Sequence, residues 1–413
     1  MNDVLSTYEP AVGAQMVAQL RQLGKVLQGA RVVHVNSTRY GGGVAEILHK
    51  LIPIKQALGL DTSWEVINGD AAFYECTKSF HNALQGDRID IPPTLLEHFE
   101  ATNRRNADEL RATLEDADFV FIHDPQPAPL LALCPDRRGK WIWRCHIDLS
   151  HPYRRVWRYV RRWVRDYDAS VFSLPEFSQE LPHPQYLIPP SIDPLSDKNM
   201  DLTAREVTET RERFGLDPEI PLLVQVSRFD RFKDPLGVIA AHKLIDKVAP
   251  TQLVLAGGEA TDDPEGALVL EEVMEAAAGN DRVHVLMLPP DAHRTINALQ
   301  RAADIVIQKS IKEGFGLTVA EAMWKGKPVI GGDTGGIRLQ VVDHYTGFLV
   351  NTPEGAALRA RYLLHRRDLL HEMGERARRH IWENFLITRH VRDYLSLMIG
   401  LRMNNQERIE VRT

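Results

Sequence analysis

Two carboxylates, Glu313 and Glu321, bracket the run Gly-Phe-Gly-Leu-Thr-Val-Ala. On a single helix, eight steps would leave them about 80° apart and more than two turns along the axis, so they cannot share a helix face. The spacing predicts a loop carboxylate at 313 and a helix carboxylate at 321. Between them, the N–H groups of Gly316, Leu317 and Thr318 would open the helix and offer its positive end to an anion. A phosphate there, flanked by two acids that bind hydroxyls, suits a sugar nucleotide. A second reading stays open for Glu321, because Thr318 and Glu321 also fit the S/T-x-x-E capping box, in which the glutamate reaches back to a backbone N–H. Glu313, beside Gly314 and Gly316, has no capping duty.

Other residues offer chemistry of the same kind. Gly41, Gly42 and Gly43 follow a Val-rich strand and precede a helix predicted from Ala45 to Leu58, a corner where backbone approaches a phosphate or sugar closely or simply turns. The run matches neither the dinucleotide fingerprint nor the P-loop. Arg228 and Lys233 lie past the carboxyl end of the strand Leu222 to Val226, where two cations neutralise a diphosphate or sit solvated. The strand Trp141 to Arg144 ends in His146 and Asp148, which fall on one side if the chain stays extended. His146 is then a general base, a donor to a sugar hydroxyl or a structural histidine. His123-Asp124-Pro-Gln126 closes another strand and Phe80 to Gly86, with His81 and Asn82, is a polar loop; both read as turns, with cleft-lining groups that recognise hydroxyls as the alternative. Asp116-Ala-Asp118 and Asp166-Tyr-Asp168 resemble a metal-holding D-x-D but precede strands, on the edge opposite the ligand edge, so they read as solvated turns. No metal site is expected. The arginines from Arg154 to Arg165 oppose an apolar stripe, the pattern of a packed helix with a solvated face.

Short apolar runs rich in valine and isoleucine alternate with amphipathic segments, the pattern of parallel strands covered by helices on both faces. Arg31 to Val35, Ser63 to Ile67, Phe119 to Ile122, Trp141 to Arg144 and Ser170 to Ser173 read as one set of strands. Leu222 to Val226, Gln252 to Leu255, Val283 to Leu286, Ile305 to Gln308 and Pro328 to Gly331 read as another. The fold class is therefore α/β, with two doubly wound sheets. Ile188 to Ser196 is too proline-rich for either element and marks the linker. Residues 1–196 and 197–382 are the expected domains, followed by a helical segment at 383–413. Ligands of such sheets bind outside the carboxyl ends of the strands, so a cleft between two such edges is the expected site.

Composition narrows the partners. With 413 residues and 44% hydrophobic content, the chain has material for large cores. A net charge of −6 gives no basic field, so nucleic acid is not expected. Three cysteines without metal-like spacing favour a reducing compartment. The amino terminus lacks the pattern of a secretory signal, and no apolar run is long enough to span a bilayer. A cytoplasmic location is expected and membrane association is not. The oligomeric state is not fixed, with a homodimer as one option.

Assembled, these residues resemble a retaining glycosyltransferase of the GT-B fold, two Rossmann-like domains facing a central cleft. Within that family, His81 to Gly86, Trp143 to Ser150, Pro189 to Ser196, Asp262 to Gly266 and Glu313 to Val329 are similar to the trehalose glycosyltransferring synthases. The resemblance implies transfer of glucose from a nucleoside diphosphate glucose, of the ADP- or UDP-glucose type, to free glucose, giving α,α-trehalose with no required cofactor. It implies that Arg228 and Lys233 bind the diphosphate, that Gly316, Leu317 and Thr318 cap its distal phosphate, and that Gly42 and Gly43 approach the phosphates. Glu321 would hold the ribose, Glu313 the hydroxyls of the transferred glucose and His146 its 6-hydroxyl region. Asn36, His81, Asn82 and Asp148 are the candidate acceptor contacts. Catalysis would rest on Glu313, His146, Arg228 and Lys233 through positioning and charge, with the acceptor attacking on the leaving-group face. The alternatives are a trehalose phosphorylase, a sugar-nucleotide epimerase and a non-catalytic sugar-binding protein.

Overall fold

A computed structural model describes residues 3–40, 42–258 and 264–403. Its chain forms two compact units, the first from residues 1–190 with 387–413 and the second from residues 191–386.

Unit 1 is built on β1 (Arg31–Asn36), β2 (Asp61–Val66), β3 (Phe119–His123), β4 (Lys140–Arg144), β5 (Ala169–Phe172) and β6 (Gln185–Leu187). All pair in parallel in the order β2-β1-β3-β4-β5-β6. Valine, isoleucine and aromatic runs produce this result because a parallel sheet must be covered on both faces, and β3 is buried along its whole length. The order reverses between β1 and β3, which makes their carboxyl ends a switch point where ligands dock in such sheets.

Unit 2 repeats the plan with β7 (Leu222–Val226), β8 (Gln252–Gly257), β9 (Val283–Met287), β10 (Ile305–Gln308), β11 (Val329–Gly332) and β12 (Gly347–Val350), again all parallel. Their order is β12-β11-β10-β7-β8-β9, so the switch point lies between β7 and β10.

The ten expected strands are present within one or two residues, and two more were not foreseen. These are β6 and β12, short edge strands of three and four residues. Neither contains an apolar run long enough to stand out from a turn. The linker expectation also shifts. Ile192 forms an isolated bridge with Leu386, and its N–H donates to Phe385 O at 2.9 Å, which draws residues 191–196 into unit 2.

Beyond Leu386 the helix Ile387–Arg402 belongs to unit 1, where it packs on the helices Ala14–Val26 and Gly42–Ala57. Buried Arg389 secures its start, donating to the carbonyls of Pro189 at 2.9 Å and Pro190 at 3.0 Å while pairing with Asp393. The arginine-rich helix is Arg154–Val164, with Val156, Val160 and Val164 buried. Among the described residues, no helix is long and apolar enough to cross a membrane.

Three local expectations are corrected. Phe80 to Gly86 is not a loop: Ala71–Leu84 is one helix, because Phe73, Cys76, Thr77, Phe80, Ala83 and Leu84 form a buried stripe at helical spacing. His81 and Asn82 occupy its last turn. The helix after β1 starts at Gly42, so Gly42 and Gly43 are its first residues and not a turn before it. Gly41, and Asp262 with Asp263 of the run to Gly266, lie outside the described residues. Finally, the extension of β4 ends at Arg144, so His146 and Asp148 are not related by strand alternation.

Candidate active site

In unit 2 the switch point brings together residues eighty positions apart. Past β7, Arg231–Lys233 form a 3-10 turn capped by Asp230, whose carboxylate accepts from Lys233 N at 3.1 Å. Past β10, Glu313 sits in the loop that leads to the helix Leu317–Trp324. Lys233 Nζ donates to Glu313 Oε2 at 2.7 Å, and Ser310 Oγ lies 3.3 Å from the same oxygen. Both side chains are largely buried, at 19% and 10% exposure, so the attraction is less screened than on an open surface. Ile311 N donates to Phe232 O at 2.7 Å, which joins the two loops.

The turn between the acids is held by shape. Gly316 has φ +83°, a left-handed conformation, and a Cβ there would come within 3.1 Å of Glu313 Cγ. Gly336 is a closer fit: its Cβ would lie 2.4 Å from Phe315 Cα. Gln340 Nε2 donates to the carbonyls of Phe315 and Gly316. Gln340 and Gly336 were not singled out in the sequence, because a buttress is recognised only by what it touches.

As expected, Glu313 is on a loop and Glu321 on a helix. The capping box is not formed: the helix is capped by Gly316, not Thr318, with no side-chain cap bond. Thr318 is the second helical residue, since a left-handed glycine already turns the chain into the helix. Leu317 and Thr318 therefore stand at the helix start, where an N–H group has no carbonyl one turn back within the helix. Glu321 is buried at 2% exposure, and Lys325 Nζ donates to its carbonyl at 3.0 Å. Burial holds the Lys325 ammonium below the usual lysine range, against the attraction of Glu321.

Arg228 is 68% exposed with Asp230 at 3.5 Å, a side chain with reach toward solvent. Lys309 was missed by sequence reading. It is buried past β10 and pairs with Asp234, which has a left-handed backbone at φ 49°. Its only sequence signal is a lysine directly after an apolar strand.

In unit 1 the corresponding edge carries histidines. His34 Nδ1 is 3.0 Å from His123 Nε2, and His123 Nδ1 is 3.0 Å from His146 Nε2. His34 lies in β1 and His123 ends β3, so the first contact bridges the switch point. Lys55 Nζ adds a fourth member, 2.9 Å from His34 Nε2. His146 N donates to Asp124 Oδ1 at 2.7 Å. Asp124 has φ 64°, and burial pushes its carboxyl up to about 6 although the His146 N–H and Arg144 pull it down. Burial, then Arg144 and His123, hold the His146 imidazole well below its ordinary value. It is thus neutral near pH 7, and its lowered basicity makes it a weak general base. His34 and Lys55 were not identified from sequence; a polar residue inside Val33-His34-Val35, the buried part of β1, was the available sign.

The other expected contacts are placed as follows. Asn36 is buried, its amide donating to Thr38 O at 2.7 Å and accepting from Trp64 Nε1 at 2.8 Å, so both ends are engaged. Asp148 accepts from Ser150 N at 2.8 Å in a turn, and His81 pairs with Gln85 at 2.6 Å. The two D-x-D runs anchor the opposite edge of the sheet. Asp118 accepts from Arg31 N at 2.8 Å and Asp168 from Trp141 N at 2.9 Å, so both cap incoming strands.

A family model described as the N-terminal domain of trehalose synthase matches residues 34–179, and one described as glycosyl transferases group 1 matches residues 206–380. The chain is 44% identical over 399 residues to a trehalose synthase from Thermococcus litoralis, covering 95% of this chain and 96% of that one. It is 29% identical to a trehalose phosphorylase from Grifola frondosa, covering 92% of this chain and 58% of that one. In three dimensions it matches sucrose-phosphate synthase from Thermosynechococcus elongatus with a TM-score of 0.70 at 17% identity, over 91% of this chain and 100% of that one, which supports the GT-B fold. The chain therefore belongs to the trehalose synthase family of glycosyltransferases and has the GT-B fold.

Proposed function

We propose that this glycosyltransferase moves glucose, with retention, from a nucleoside diphosphate glucose of the ADP- or UDP-glucose type to free glucose, forming α,α-trehalose. The observation that carries the reading is the Lys233–Glu313 pair at the β7/β10 switch point, beside the open helix end at Leu317 and Thr318. An ammonium has three donors, so Lys233 can hold Glu313 and a phosphate oxygen together. Arg228 and Lys233 then neutralise the diphosphate as it leaves, and the N–H groups of Leu317 and Thr318 cap its distal phosphate.

Glu313, held by Lys233 at 2.7 Å, accepts from the hydroxyls of the transferred glucose and fixes the ring. Glu321 receives the ribose hydroxyls. His146 contacts the 6-hydroxyl region, and Asp148 with the helix end at His81 and Asn82 provides acceptor contacts; the engaged amide of Asn36 supports a buttressing place for it instead. The acceptor hydroxyl attacks on the face that the diphosphate leaves, passing its proton to a phosphate oxygen. No protein nucleophile or cofactor is needed in this scheme, only positioning and charge.

A panel of nucleoside diphosphate glucoses, with glucose as acceptor and a chelator present, tests it. Release of nucleoside diphosphate together with a non-reducing disaccharide of α,α linkage is expected. A reducing product, or loss of activity with the chelator, sinks the scheme. Breakdown of trehalose that requires phosphate and no nucleotide would instead make it a phosphorylase, and an epimer formed from donor alone would make it an epimerase.

A further inference from the structure

The Lys55–His34–His123–His146 chain has no place in that scheme beyond its last member. Lys55, in the helix Gly42–Ala57, and His34 are fully buried, and His123 is 3% exposed. The Lys55 ammonium nitrogen sits 4.7 Å above the Phe121 ring and 5.0 Å from the centre of the Tyr394 ring. These faces stabilise a cation without accepting a conventional hydrogen bond. His34 Nε2 is therefore its hydrogen-bond acceptor at 2.9 Å. The rings of His34 and His123, and of His123 and His146, stack with centroids 5.3 Å apart in both pairs.

A neutral imidazole has one N–H and one lone pair. A row of three, joined Nδ1 to Nε2 twice, thus has two self-consistent hydrogen patterns, and the group at its closed end selects between them. An ammonium only donates. It makes His34 Nε2 an acceptor, which places the hydrogen of His34 on Nδ1, and the same logic repeats at His123 and at His146. We infer that Lys55 is a positioning residue that fixes the tautomer of His146 through His34 and His123, so that His146 offers Nδ1–H as a donor to a sugar hydroxyl oxygen. The consequence for the sugar rests on the proposed role of His146; the tautomer itself does not. A free neutral histidine side chain prefers its hydrogen on Nε2, so three successive rings with Nδ1–H form a signature that departs from that preference.

The full chain labelled with nitrogen-15 histidine, its ring signals assigned through single His→Asn variants, reads this out at about pH 6, where Lys55 is charged. In the unsubstituted protein, His34, His123 and His146 should each have hydrogen on Nδ1 and a bare Nε2. Hydrogen on Nε2 in any of them overturns the inference without need of a Lys55 variant. In Lys55→Met, His146 should shift toward the Nε2–H form, and KM for the nucleotide sugar should rise about tenfold, one misdirected hydrogen bond, with a smaller change in kcat. Unchanged tautomers in a folded Lys55→Met protein also overturn it. A shifted tautomer with unchanged KM supports the relay and sinks instead the reading of His146 as a sugar contact.

Discussion

The two switch points solve the same problem with opposite chemistry. In unit 2, cations face carboxylates: Lys233 meets Glu313 and Lys309 meets Asp234. In unit 1, the buried lysine faces neutral rings, with His34 in its hydrogen bond and Phe121 and Tyr394 beneath it. Ion pairs of this kind suit a ligand that is itself ionic, such as a diphosphate. A relay of imidazoles has direction without net charge, which suits a ligand that is all hydroxyls. The difference teaches that one architecture, repeated, places ion pairs at one sheet edge and a hydrogen-bonded row of imidazoles at the other.

The largest effect that would break this contrast is at Glu313. Glu313→Ala removes the carboxylate proposed to position the sugar and takes the Glu313 carboxylate from Lys233. Turnover should fall on the order of a thousandfold, about 4 kcal/mol of transition-state stabilisation, with a much smaller change in donor affinity. Steady-state kinetics beside equilibrium titration of the donor separates the two. A change in affinity alone would make the pair a binding device and remove catalysis from unit 2.

Next in size is a pH signature belonging to unit 1. Burial brings the Lys55 ammonium down to about 7, in the company of His34, His123 and His390, whose own protonated forms its charge opposes. In the unfolded chain a lysine titrates near about 10.4. Between these values the unfolded state binds a proton that the folded state lacks, so stability rises with pH across that window and the cost of the buried charge stands in full below it. Lys55→Met should remove up to about 1.4 kcal/mol per pH unit of this slope. Urea unfolding at several pH values from about 7 to about 10 measures it. A slope that survives the substitution would place the titrating group elsewhere and weaken the contrast between the two edges.

How legible each edge was follows from the same physics. The unit 2 acids lie within one short motif, and Arg228 and Lys233 come soon after a strand that its valine and leucine content identifies, so their place at the sheet edge was readable. The strands were readable for the same reason, because burial on both faces demands continuous apolar runs. The relay was not readable, since Lys55 looks like an ordinary lysine near a helix end and meets His34 only through the fold of the helix onto β1. His146 was found from its strand end, but its partner His123 was read as a turn residue. Phe80 to Gly86 was read as a loop because His81, Asn82 and Gln85 obscured a buried stripe running through Phe80 and Leu84.

The smallest effect concerns the helix that begins at Leu317, where sequence pattern and geometry diverge. A Thr in a working capping box contributes about 1 kcal/mol through its hydroxyl. Here Gly316 turns the chain with its left-handed backbone, and Val319 N donates to Gly316 O at 3.0 Å, so Thr318 already lies inside the first turn. Thr318→Ala thus places the best helix former at an ordinary helical position, and stability should change by less than about 0.5 kcal/mol, in either direction. The urea midpoint, at constant slope, is the measurement. A loss of 1 kcal/mol or more would mean that Thr318 caps after all and that Glu321 is drawn into the box with it. The helix carboxylate would then be spent on its own backbone, and unit 2 would recognise its ligand through Glu313 and the phosphate contacts without a second acid.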